Sequence, residues 1–165
     1  MNFTQRPQTV AYVGIGNELL QGKTLDRNLN TLAKKLFQNH LQLVSAQIAP
    51  DDPVYLKRVF KDSLDQADFL ITSGGMGPTQ DDKTKQVLAN LLEAEIKETP
   101  QARKIAEEIY TSKNHQYQDS RGYHKIPVGT TAVFNSIGHA PGLFWTQNNK
   151  SILCAPGVPR EFNQM

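Results

Sequence analysis

The sequence predicts an α/β domain built on a parallel sheet, and three observations carry that prediction. Short apolar runs end in glycine- or proline-rich turns. Amphipathic helical stretches separate those runs. The order strand, helix, strand, helix, strand fills the first 72 residues, which implies right-handed crossovers within one sheet. At 165 residues the chain is expected to form a single domain, residues 1–165.

Thr9-Val10-Ala11-Tyr12-Val13 reads as the first, buried strand and exits through Gly14-Ile15-Gly16-Asn17-Glu18. Leu25, Leu29, Leu32 and Leu36 then recur on one helical face, with Asp26 as N-cap. Leu41 to Ala49 is the second strand. Asp52-Pro53 caps and opens a helix whose apolar stripe is Leu56, Val59, Phe60 and Leu64. Asp68 to Thr72 is the third strand. A helix carrying Val87, Leu88, Leu91 and Leu92 is predicted to open at Asp81, and another to start at Thr99-Pro100 and reach about Tyr110. Ser112 to Gly129 reads as a polar loop. Thr130 to Phe134, Gly142 to Thr146 and Ser151 to Ala155 are short strands, with a turn at Asn148-Asn149. Arg160 to Met165 begins a final helix.

Composition excludes several classes of function. Apolar residues make up 38% and charged residues 21%, with a net charge of +2, so the chain is globular in type and shows no basic patch for nucleic acid. A single cysteine, Cys154, rules out intrachain disulfides and cysteine-rich zinc sites. Met1 to Gln8 is polar, without a signal-peptide core, and no apolar run approaches 18 residues. The expected location is the cytoplasm, with no membrane partner.

In an open α/β sheet, ligands bind beyond the carboxyl ends of the strands. Ser73-Gly74-Gly75-Met76-Gly77 places three glycines directly after a buried strand. Such a turn forms an anion cradle of backbone N–H groups, which the following helix N-terminus and the hydroxyls of Ser73 and Thr79 reinforce. Asp81 and Asp82 would repel a bound phosphate unless a divalent cation bridged them. That reading gives a metal–diphosphate site in which a carboxylate also orients an attacking water. A second reading stands beside it: Thr79 and Asp82 have capping-box spacing, and acidic residues suit a first helical turn.

Gly14-x-Gly16-Asn17-Glu18 is not a dinucleotide fingerprint, and no Walker A pattern occurs. Glu18 is a candidate metal ligand, ribose contact or base, or a solvated loop carboxylate. Arg121 and Lys125 are candidate phosphate clamps and Tyr123 a stacking surface, within what otherwise reads as an exposed polar loop. His115, His124 and His139 lack metal-ligand spacing and read as loop histidines. Cys154 reads as a buried, inert thiol.

Taken together, three blocks resemble the CinA family, competence/damage-inducible protein A. They are Gly16-Asn17-Glu18-Leu19-Leu20-x-Gly22; Gly74-Gly75-Met76-Gly77-Pro78-Thr79-x-Asp81-Asp82-x-Thr84-Lys85; and Ala140-Pro141-Gly142 with Pro156-Gly157-Val158-Pro159-x-Glu161. More closely, they resemble its amino-terminal molybdenum-cofactor-biosynthesis domain, the fold shared with MoaB and MogA. The resemblance implies a three-layer α/β/α fold with a mainly parallel sheet. It implies metal-dependent hydrolysis of the pyrophosphate of ADP-ribose, or of a similar nucleotide, to AMP and ribose 5-phosphate. The attack would be in line, by a water that the carboxylates position. The alternatives it implies are molybdopterin binding with adenylyl transfer, or a non-catalytic nucleotide-binding module. It assigns Glu18, Asp81 and Asp82 to metal binding and water activation, Gly74, Gly75, Gly77, Thr79 and Lys125 to phosphate contacts, and Gly157 with Glu161 to closing the site. Mg²⁺ or Co²⁺ is the implied metal, with K⁺ as an additional cation, and a homo-oligomer is the implied assembly. Asn17 stands where the family pattern has aspartate, and Arg121 to Ile126 matches the family's basic segment loosely. The further domain and amidase of longer members lie outside the sequence, so no deamidase activity is expected of it.

Overall fold

The computed structural model describes residues 8–165. Residues 1–7, on which most of the argument against a signal peptide rests, lie outside the described part. The elements run β1 (Thr9–Ile15), α1 (Asn17–Leu20), α2 (Arg27–Gln38), β2 (Gln42–Ala49), α3 (Pro53–Gln66), β3 (Phe69–Ser73), α4 (Thr84–Leu91), β4 (Ile96–Glu98), α5 (Pro100–Thr111), a 3₁₀ turn (Asp119–Arg121), β5 (Lys125–Pro127), β6 (Thr131–Val133), β7 (Gly142–Gln147), β8 (Lys150–Ala155) and α6 (Pro159–Phe162).

A six-stranded sheet has the order β2-β1-β3-β8-β7-β6, and β4 pairs with β5 in a separate ribbon. β2, β1, β3 and β8 are parallel, while β7 is antiparallel to both of its neighbours. Alternation along β1 divides the core. Val10 and Tyr12 face Leu32, Leu36 and Phe162, from α2 and α6. Ala11, Val13 and Ile15 face Leu56, Phe60, Val87 and Leu88, from α3 and α4. Helices therefore cover both faces, and the three-layer α/β/α arrangement with a mainly parallel sheet is observed.

The helix starts follow local chemistry. Asp26, Asp52 and Thr99 accept hydrogen bonds from the amides of Leu29, Tyr55 and Ala102 at 3.0, 2.7 and 3.1 Å. Pro53 and Pro100 each fill a first-turn position. Asn148 and Asn149 both take positive φ, 51° and 62°, which fits the two-residue turn closing the β7–β8 hairpin.

Several expectations need correction. Leu25 lies before α2 and is 82% exposed, because the helix starts only after the Asp26 cap. The helix expected to open at Asp81 is α4, which opens at Thr84, and Thr79 is not its cap. The stretch from Ser112 to Gly129 holds a 3₁₀ turn and β5. Tyr123 and His124 are buried, not exposed loop residues, so Tyr123 offers no free stacking face. The final helix is the single turn α6, which starts at Pro159.

Candidate functional site

The site lies at the switch point of the sheet. β1 leads to β2 on one side, and the chain then crosses to β3 on the other. Register sets Gly14 beside Ser73 and Ser73 beside Ala155, so β1, β3 and β8 end level and release their loops together. Between those loops is a cleft of about 600 Å³. Its wall includes Gly16 and Glu18 after β1, Asp51 after β2, Gly74 to Gly77 after β3, and Pro156 to Pro159 after β8.

The Gly74–Gly77 loop is held from below. Gly74 has φ +118°, and a Cβ there would strike the Ile15 carbonyl oxygen. Gly75 has φ +65° and lies against the Thr84 hydroxyl. Both positions therefore require glycine. Thr84 is fully buried; its Oγ1 donates to Gly74 O at 2.8 Å and its N–H to Gly75 O at 3.2 Å. Gly74 N–H is taken by Ala155 O at 2.9 Å. The amides of Gly75 and Met76 have no partner among the described residues, and both residues line the cleft. The first amide of α4 is thus consumed by the loop itself. Gly75 and Met76 are two adjacent residues of the cleft wall whose amides are left unpaired by the loop.

Asp82 organises the loop. Its Oδ1 accepts from Gly77 N–H at 2.8 Å, and its Oδ2 accepts from the N–H and hydroxyl of Thr79 at 3.0 and 2.5 Å. This is reciprocal capping chemistry without a helix at Thr79. Asp81 and Glu18 differ from it. Both are exposed at the cleft, and neither carboxylate has a hydrogen-bond or ion-pair partner among the described residues. Glu161 is held on the far side. The buried Asn135 Nδ2 donates to Glu161 Oε2 at 2.7 Å and to Ala140 O at 2.8 Å, while Asn135 Oδ1 accepts from the amides of Ile137 and Gly138. A Cβ at Gly138 would overlap the Glu161 carboxylate, so that turn packs directly on it.

Lys85 sits behind the glycine loop and donates to Gly122 O at 2.9 Å. Burial, and then the nearby Lys125 charge, lower its pKa from the ordinary value. His139 lines the cleft, and burial together with His115 and other nearby cations also lowers its pKa. His115 Nδ1 and His139 Nε2 lie 3.0 Å apart.

The structure therefore brings together Glu18, Gly74, Gly75, Gly77, Asp81, Asp82, Gly157 and Glu161 on one cleft. Two predicted residues stand apart from its wall. Thr79 is committed to Asp82, and Lys125 is exposed on the β4–β5 ribbon. Asp51, Asn135 and His139 were missed. Asp51 had a usable signal, since it follows the carboxyl end of a strand; its Oδ2 accepts from Asn17 N–H at 3.0 Å. Asn135 and His139 had none, because their roles depend on contacts with Glu161 and His115, 26 and 24 residues away.

Five carboxylates line the cleft: Glu18, Asp51, Asp81, Asp82 and Glu161. Among the described residues, no group of three or more His, Cys, Asp or Glu side chains could hold a metal ion. The protein alone does not form a cation cage; a divalent ion would need further oxygens, such as those of a bound phosphate.

No helix among the described residues is long and apolar enough to cross a membrane. The family described as "probable molybdopterin binding domain" matches residues 11–165. A CinA-like protein of Syntrophomonas wolfei is 31% identical over 96% of this chain and 38% of its own length. A CinA-like protein of Thermosynechococcus vestitus is 34% identical over 92% of this chain and 36% of its own length. The chain thus spans little more than a third of these two relatives. Among solved structures, a CinA protein of unknown function from Thermoplasma acidophilum superposes with a TM-score of 0.84 at 25% identity, covering 96% of this chain and 93% of that one. The molybdopterin biosynthesis enzyme MoaB of Thermus thermophilus shares the fold, with a TM-score of 0.63 at 18% identity over 95% of this chain and 86% of that one. The chain belongs to the molybdopterin-binding-domain family, as a domain of the CinA-like type.

Proposed function

We propose that the cleft binds a phosphate-bearing small molecule of the molybdopterin class, with its phosphate on the Gly75 and Met76 amides. The observation that carries this reading is the glycine loop. Thr84, Ile15 and Ala155 fix its backbone and leave two adjacent N–H donors unpaired at the cleft wall. Preorganised donors of this kind bind an anion without a cost of reorganisation. Lys85, half-buried behind the loop, adds positive potential from below. The family description supports a pterin as the ligand.

A second reading is hydrolysis of a phosphoanhydride, with ADP-ribose giving AMP and ribose 5-phosphate. The unpartnered carboxylates of Glu18 and Asp81 favour it, because they face the same cleft as the phosphate loop. A divalent cation held between them and the phosphates would offset their repulsion. In either reading the protein acts in the cytoplasm as a homo-oligomer, which light scattering of the purified protein tests.

Two assays separate the readings. An anaerobic titration with molybdopterin measures binding, and incubation of ADP-ribose with Mg²⁺ or Co²⁺ measures AMP. Saturable molybdopterin binding without AMP release supports the first reading. AMP release lost in Asp81→Ala supports the second. Failure of both assays removes the cleft as a phosphate site.

A further inference from the structure

Beside the cleft lies a smaller compartment of about 70 Å³, between α1, the start of α2 and the loop after β8. Ile15, Glu18, Gly157 and Pro159 line both spaces, so the two share a wall. The wall of the small compartment joins Ile15, Leu19 and Pro159 to polar residues, Glu18, Thr24, Asp26, Asn28 and Ser73; Asp26 already accepts from the Tyr12 hydroxyl and the Leu29 amide, and Ser73 from Asn28. Arg27 is the cation on this wall.

Asn28 is the informative residue. It falls on the buried face of α2, in line with Leu32 and Leu36, where an apolar side chain is the ordinary choice. It is 4% exposed. Its Nδ2 donates to Ser73 Oγ at 2.7 Å and to Gly157 O at 2.8 Å, so both amide hydrogens are used. Its Oδ1 is buried and has no hydrogen-bond partner among the described residues. A buried acceptor left in that state disfavours the fold, and a donor arriving beside it would remove that cost.

We propose that this compartment receives the donor-bearing end of the ligand, with Asn28 Oδ1 as the specificity-determining acceptor and Glu18 as its companion. The matching chemistry is two adjacent hydrogen-bond donors on a phosphorylated ligand. Vicinal hydroxyls of a sugar provide them, and so does the amino–imino edge of a pterin. The volume admits a pair of hydroxyls or a ring edge, not a whole ring. A site of this kind rejects analogues that lack the donor, because its acceptor then stays buried and unpaired. Asn28 also ties the α2 start to Ser73 at the end of β3 and to the Gly157 loop, so occupancy here is coupled mechanically to the phosphate loop's neighbours. The inference rests on the cleft binding a phosphorylated ligand.

The test removes donors from the ligand, which leaves the protein intact. Calorimetric titration compares ADP with 2′,3′-dideoxy-ADP, and a pterin monophosphate with its 2-deamino counterpart. In the wild-type protein, the truncated member of one pair is expected to bind at least tenfold more weakly, and the responding pair identifies the source of the donors. In Asn28→Leu, shown folded by its thermal transition, that difference is expected to shrink below twofold. Equal binding within each pair in the wild type would overturn the inference while leaving the cleft reading intact. Binding of neither parent ligand would overturn both.

Discussion

The parallel half of the sheet and the stretch from residue 92 to 141 are held together in different ways. In the parallel half, α2 and α3 are each positioned by a local side-chain cap and an apolar stripe, within a few residues of a strand. In the other stretch α5 has such a cap too, but the segments after it are ordered by contacts distant in sequence. Gln101 bridges to Ala132, Thr99 N–H donates to the carbonyl of the buried His124 at 3.2 Å, and Lys113 reaches Asn135 O. The cleft lies where the two meet. Its glycine loop comes from the first region and its far wall, at Glu161, is braced by the second.

The largest effect that breaks this picture is expected from Gly74→Ala. The new Cβ meets the Ile15 carbonyl in a left-handed backbone, so about 3 kcal/mol of stability should be lost in urea unfolding, along with phosphate binding. In the second region, Asn135→Ala removes four hydrogen bonds at a buried position. A loss of about 2 kcal/mol is expected. It should be accompanied by faster amide exchange at Ile137 and Gly138, while exchange in β1 and β3 stays near the wild-type rate once corrected for global stability.

A smaller effect concerns the core of the parallel half. Burial pushes the Cys154 thiol from 9.0 up to about 12, although Thr72 partly opposes this. The folded state therefore favours the neutral thiol, and the stabilisation it brings is present below pH 9 and lost as pH rises towards 12. Between pH 8 and pH 10 the wild type should lose about 1 kcal/mol more than Cys154→Ala. The smallest effect is Lys125→Ala. An exposed side chain away from the cleft wall should change ligand affinity by less than about twofold; a larger change would place the ribbon inside the site.

Sequence legibility followed the same division. β1, β3 and the glycine loop could be read because apolar runs ended in residues suited to positive φ. The Asp82 reading was half legible. Its spacing from Thr79 announced a reciprocal hydrogen-bonded turn, but not that Gly77 would complete it and delay α4 to Thr84. β4 and β5 are three residues each and carry no periodicity, so pairing alone defines them. Asn28 sat in plain view as a polar residue among the leucines of α2, yet only the fold shows that its two donors are spent and its acceptor is not.

A phosphate seated on the Gly75 and Met76 amides should be visible by amide NMR when the protein is titrated with pyrophosphate. Saturable shifts concentrated at Gly75 and Met76, and absent in Gly75→Ala, are the predicted result. Shifts that bypass those two amides, or that persist unchanged in the variant, would contradict it.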